Sequence, residues 1–154
     1  MGSLLSYLSF RGRANRQRFW LTALAIWAAM FLGAVLSVML SNVSPFLSVL
    51  FLPLYLAWIV ASLANGARRL HDRGKSAWWL LLFVGVPVVI LLPAQLAGVG
   101  GQSDGSAALA LICSLVSLPF SIWAFIEMGC LKGTTGANKY GDDPLQPTAA
   151  EVFA

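Results

Sequence analysis

Residues 20–40, WLTALAIWAAMFLGAVLSVML, carry no charged side chain, and their reading decides the fold. An α-helix needs about 20 apolar residues to traverse ~30 Å of hydrocarbon, so this run is long enough to span a bilayer. Further charge-free runs cover 43–65, 77–99 and 107–126. Of the 154 residues, 58% are apolar and only 10% charged, where a soluble domain carries about 25% charged residues. That shortage excludes a water-exposed surface. A membrane barrel would show alternating segments of ~10 residues, and none is visible. Arg11, Arg13, Arg16 and Arg18 precede the first run like the head of a signal peptide, but the apolar part of such a peptide is typically ~7 to 15 residues. The run is therefore read as a retained helix.

The expected fold is all-α, an integral membrane four-helix bundle with spans at about 20–40, 43–65, 77–99 and 107–131. A basic segment, 1–19, precedes it and a tail, 132–154, follows. Every Lys and Arg lies before the first span, between the second and third, or after the fourth. By the positive-inside rule both termini and the middle connector are cytoplasmic, and short connectors favour up-down-up-down order. Gly74 suits the position just past a helix end and Ser76 the next N-cap, which makes 73–75 a tight turn and puts Arg68 to Asp72 on a helical extension projecting beyond the bilayer.

Ala25, Ala29, Gly33, Ser37 and Ser41 recur every four residues, a spacing that lets another helix approach closely; a helix of the same chain is favoured over a second copy. Pro45 suits the start of the second span, and prolines 53, 87, 93 and 119 are expected to bend the later ones. All six tryptophans fall in the predicted inner half of the bilayer, which suits anchoring and core filling. Cys113 and Cys130 are too far apart on one helix to bridge. With one histidine, no zinc-type cluster is formed, and no phosphate-loop, nucleophile-elbow or zinc-protease motif occurs.

Three cytoplasmic stretches remain. They contain Gly12, Arg13, Arg16, Phe19 and Trp20; then Arg68-Arg69-Leu70-His71-Asp72 with Gly74, Ser76, Trp78 and Trp79; then Gly133, Gly136, Asn138, Tyr140, Gly141, Asp143 and Pro144. In this order and spacing the chain resembles the bacterial inner-membrane proteins grouped as "domain of unknown function 805". Ala77 and Asp142 depart from the pattern. The resemblance implies a multi-pass protein of the bacterial inner (cytoplasmic) membrane and leaves its activity open.

Physically, the stretches suit two roles. As a latch, Arg68 and Asp72 are spaced for an i,i+4 ion pair, with Arg13 or Arg16 also able to reach Asp72. Glu127 would pair with an arginine of the first or second stretch, since charge at membrane depth is costly alone. Asn138, Tyr140 and Asp143 would join the tail to these helix ends. As an anion site, Arg13, Arg16, Arg68, Arg69, His71 and Lys139 would cradle a lipid headgroup, with backbone amides of 133–141 as a lid. The favoured function is a non-enzymatic membrane protein whose basic face binds anionic headgroups or a protein partner. An oligomeric transporter or channel is the alternative, and an interface enzyme using His71 the second; His71 and Asp72, adjacent on a helix, make a poor dyad. No cofactor, metal or nucleic acid is expected, membrane lipids are, and a homo-oligomer is compatible.

Overall fold

The structure, a computed structural model, describes residues 8–44, 46, 49–99 and 104–146. It is all-helical: α1 (Arg16–Ser41), α2 (Leu52–Asp72), α3 (Val86–Val99) and α4 (Asp104–Ala124). A π-helical turn, Leu81–Gly85, leads into α3, and another, Phe125–Cys130, continues α4. Three segments are long and apolar enough to cross a membrane, namely Arg16–Ser41, Leu81–Gly98 and Asp104–Cys130. Among the described residues there is no strand, only an isolated antiparallel bridge between Asn138 and Gly141.

Two compact units are formed, one from the chain up to Lys75 with the chain from Lys132 onward, the other from Ser76–Leu131. In the first, α1 begins four residues before the expected span because the Asn15 side chain caps it, accepting the Arg18 amide at 2.8 Å. This satisfies one of the amides that a helix start leaves open.

The second span differs most from expectation. The helix starts at Leu52 and not at 43, and runs through the expected extension to Asp72. Pro53 sits in its first turn, where its fixed φ and missing N–H are favourable, so it starts α2 and does not kink it. Pro45 lies outside the described residues. At the other end the helix takes in Arg68, Arg69, His71 and Asp72, all buried. Their charge keeps α2 out of the set of long apolar spans. The helix closes as a Schellman motif: the Gly74 amide donates to His71 and the Lys75 amide to Leu70, at 3.0 and 2.9 Å. Gly74 supplies the φ of +71° that this turn requires.

α1 and α2 approach closely at Gly33 of the small-residue stripe. A Cβ on Gly33 would lie 3.0 Å from Leu54 Cδ2, so this glycine serves contact within the chain. Nearer the charged end, Asn65 Nδ2 donates to the Phe19 carbonyl at 3.1 Å.

In the second unit Pro93 and Pro119 lie inside α3 and α4. Pro87 follows the first π turn. Proline lacks an N–H and crowds the carbonyl four residues back, here Phe83 in that turn, and widening the helix relieves the conflict. The Ser76 carbonyl, not a side-chain cap, accepts the Trp79 amide at 3.3 Å. Trp79, Phe83 and Trp123 form a cluster with ring centroids 5.4 to 5.9 Å apart, with Phe83 its buried member between α4 and the first π turn. Cys113 and Cys130 are both free.

Candidate functional site

The three polar stretches meet at the charged end of α2, within the first unit. Asp72, only 3% exposed, is the anionic centre. Its Oδ1 accepts from Arg13 Nε at 3.1 Å and its Oδ2 from Arg69 Nη1 at 2.6 Å. The partner on α2 is therefore Arg69 at i,i+3, which corrects the expected Arg68 pair. Arg68 donates from Nε to the Ala64 carbonyl at 3.3 Å.

Arg13 connects all three stretches. Besides Asp72, Nη1 donates to the Gly136 carbonyl at 2.6 Å and the Gly141 carbonyl at 3.3 Å. Nη2 donates to the Thr134 carbonyl at 2.6 Å and to Thr134 Oγ1 at 3.3 Å. A guanidinium has five N–H donors in a planar fork, and this set engages all three of its nitrogens. Positive φ at Gly136 and Gly141, +77° and +135°, lets the tail present carbonyls inward.

Five amides of the expected lid are engaged within the clasp itself. The Thr134 amide donates to the Asp72 carbonyl at 2.8 Å, that of Gly136 to Asp143 Oδ2 at 2.9 Å, and that of Tyr140 to Asn138 Oδ1 at 2.9 Å. Asn138 and Gly141 exchange amide bonds at 3.0 Å. These amides hold the tail closed. Asn138 Nδ2 also reaches the His71 carbonyl at 3.0 Å and Thr134 Oγ1 at 2.9 Å. Amide donors of Leu145 and Gly136 keep the Asp143 carboxyl below its usual range.

Gly133 is required by space. A Cβ there would overlap the Asp72 carboxylate, which two arginines prevent from swinging aside. Gly133→Ala is expected to undock the tail. Limited proteolysis should then cleave 134–146 about tenfold faster, equivalent to ~1.4 kcal/mol of docking.

His71 stacks on Tyr140 with centroids 3.9 Å apart and planes 7° from parallel. Its Nδ1 faces the Gly12 carbonyl at 3.2 Å, while the Asp72 carboxylate faces the arginines, so the two do not form a dyad. Burial pushes the His71 pKa down, partly opposed by the Gly12 carbonyl and reinforced by Lys139, whose Nζ lies 5.0 Å from the Tyr140 centroid. A depressed pKa means that the unfolded chain binds the proton more readily. Stability is therefore expected to be fully present above the ordinary value of 6.5 and to fall as pH drops through the folded-state value. Detergent-denaturation midpoints between pH 7.5 and 5 should show this decline, and His71→Gln should flatten it.

The other predicted site residues lie at two cavities, in the clasp and in the second unit. Exposed Arg16 lines a cavity of about 410 Å³ with Asp72, Lys132 and Thr134. Arg68 lines another, of about 380 Å³, with Arg11, Arg13, Arg18, Tyr140 and Asp142. Arg69 is completely buried in the clasp and lines neither. Glu127 is buried on the π turn of the second unit. Arg11, Arg18, Thr134 and Arg73 stand outside the expected site set but belong to this face; Arg73 donates to the Lys132 carbonyl at 2.6 Å. Arg11 and Arg18 flank Arg13 and Arg16 in an alternating basic run, and that run was the available signal. Among the described residues no group of three or more His, Cys, Asp or Glu is placed to hold a metal.

The family described as "Protein of unknown function (DUF805)" matches residues 7–142. "Inner membrane protein YhaI" of Escherichia coli (strain K12) is 30% identical over 142 residues, covering 92% of this chain and 90% of the relative. "Inner membrane protein YhaH" of the same strain is 28% identical over 151 residues, 94% of each chain. "Uncharacterized protein YiiR" of that strain is 32% identical over 139 residues, 88% of this chain and 85% of the relative. No solved structure matches. The family match takes in all of α1 to α4 and the polar clasp, and on that extent the chain belongs to the DUF805 family.

Proposed function

We propose that the protein is a non-enzymatic, multi-pass inner-membrane protein with both termini cytoplasmic and four helices in up-down-up-down order, whose clasped cytoplasmic face binds anionic lipid headgroups. The observation that carries this reading is the arginine-lined cavity of about 380 Å³. Arg13 and Arg69 share the negative charge of Asp72, whereas Arg11 and Arg18 are exposed at the cavity, with Arg68 on its wall and Asp142 as the opposing charge. Planar guanidinium groups suit phosphate oxygens, and basic pockets at the cytoplasmic surface attract anionic lipid. The proposed site keeps Arg13 and Arg68 of the expected set on the cavity wall and adds Arg11 and Arg18.

Native mass spectrometry of the detergent-extracted chain tests the assignment. Phosphatidylglycerol should be retained in preference to phosphatidylcholine with the same chains, and Arg11→Gln with Arg18→Gln should reduce the preference about tenfold. Equal retention of both lipids would remove the headgroup reading.

A further inference from the structure

α1 and α2 leave an apolar groove of about 370 Å³ between them, within the ~300 to 1,000 Å³ usual for ligand sites. Ile26, Ala29 and Met30 form one wall; Leu54, Ala57 and Trp58 form the other. The helices touch on both sides of it, through Gly33 and Leu54 at one end and through Asn65 and Phe19 at the other. It is therefore a gap in an otherwise closed interface, kept open by the small, exposed Ala29 and Ala57.

The groove is tied to the arginine cavity by the chain itself. Leu8 lines the groove and the next residue, Ser9, lines the cavity. Along α1, Ile26 stands about 12 Å beyond Arg18 at 1.5 Å per residue. The headgroup layer on each side of a bilayer is ~5 to 8 Å deep. A phosphate at Arg18 would thus bring the upper part of its acyl chain to the groove. An α-helix, ~10 Å across with its side chains, does not fit so small a space, but an extended chain does. In lipid an apolar groove alone selects nothing, because the surrounding tails are equally apolar. Selection needs the charged end as well.

We propose that the α1–α2 groove holds one acyl chain of an anionic phospholipid whose phosphate sits on Arg11 and Arg18, an assignment that rests on the headgroup reading above. The test uses the full chain in detergent with three probes: dioleoyl phosphatidylglycerol, dioleoyl phosphatidylcholine and glycerol phosphate. Ala29→Leu with Ala57→Leu plugs the groove, and Ala57→Met alone is a milder plug should the double variant misfold by circular dichroism. Plugging should weaken phosphatidylglycerol binding about fivefold while glycerol phosphate binds as to the wild type. Wild-type phosphatidylglycerol binding by a folded, plugged variant would overturn the chain site and leave the headgroup site standing. If neither form prefers phosphatidylglycerol over phosphatidylcholine and Arg11→Gln with Arg18→Gln changes nothing, the headgroup reading falls and takes this one with it. A changed subunit number with unchanged lipid count would make the groove a contact between copies, which also overturns the proposal.

Discussion

Asp72→Asn should lower the unfolding free energy by about 3 to 5 kcal/mol, the usual effect of removing one partner from a buried ion pair. Asparagine preserves the shape and one acceptor but not the charge. Arg13 and Arg69, 6% and 0% exposed, would then be two buried guanidinium groups facing a neutral side chain. Desolvation, which already lowers the Arg69 pKa against the raising effect of Asp72, would no longer be opposed by that carboxylate. Denaturation by sodium dodecyl sulfate, followed by tryptophan fluorescence, should show the midpoint falling sharply. A midpoint equal to the wild type would mean that Asp72 does not hold the clasp. Charge reversal of Arg68 with Asp72 should fail to restore stability, because the partners of Asp72 are Arg13 and Arg69.

Arg13→Lys should have the next largest effect, a loss of about 2 to 4 kcal/mol. It keeps the positive charge, so attraction to Asp72 survives. What disappears is the fork that reaches Asp72 and the carbonyls of Thr134, Gly136 and Gly141 together. An ammonium group has three donors at one point and leaves part-buried carbonyls unpaired. The damage should concentrate in the tail. Hydrogen exchange is expected to accelerate at the amides of Thr134, Asn138 and Gly141, while the middle of α2 keeps its protection. Uniform acceleration along α2 would show that Arg13 supports the helix more than the tail.

These variants separate what local sequence rules could reach from what they could not. The long apolar runs were legible because hydropathy is a local sum over ~20 residues, and α1 and α4 follow those runs to within a few residues of their ends. The start of the second helix was not legible, because the charge-free run extends from 43 while Pro53 sets the first turn at Leu52. Its charged end was legible as a helical extension up to Gly74, and Arg13, Gly12 and the tail supply the partners that bury it. Helical spacing allowed Asp72 to pair with Arg68 or Arg69, since i,i+3 and i,i+4 neighbours are both within reach. The arrival of Arg13 and the tail chose Arg69. The tail glycines are legible in the sequence, but only the fold shows that positive φ at Gly136 and Gly141 turns their carbonyls toward Arg13 as acceptors.

The sequence by itself determined that this is an α-helical chain with helices long and apolar enough to cross a membrane, that its charge is gathered into three stretches, and that those stretches match one family. Only the tertiary structure decided that Asp72 binds Arg13 and Arg69, that the tail closes over them, and that Arg11 and Arg18 face an open cavity. The physical reason is range. Burial in a bilayer is scored along consecutive residues, whereas an ion pair depends on distance in space, and Arg13 is 59 positions from Asp72 in the chain but 3.1 Å from it in the fold.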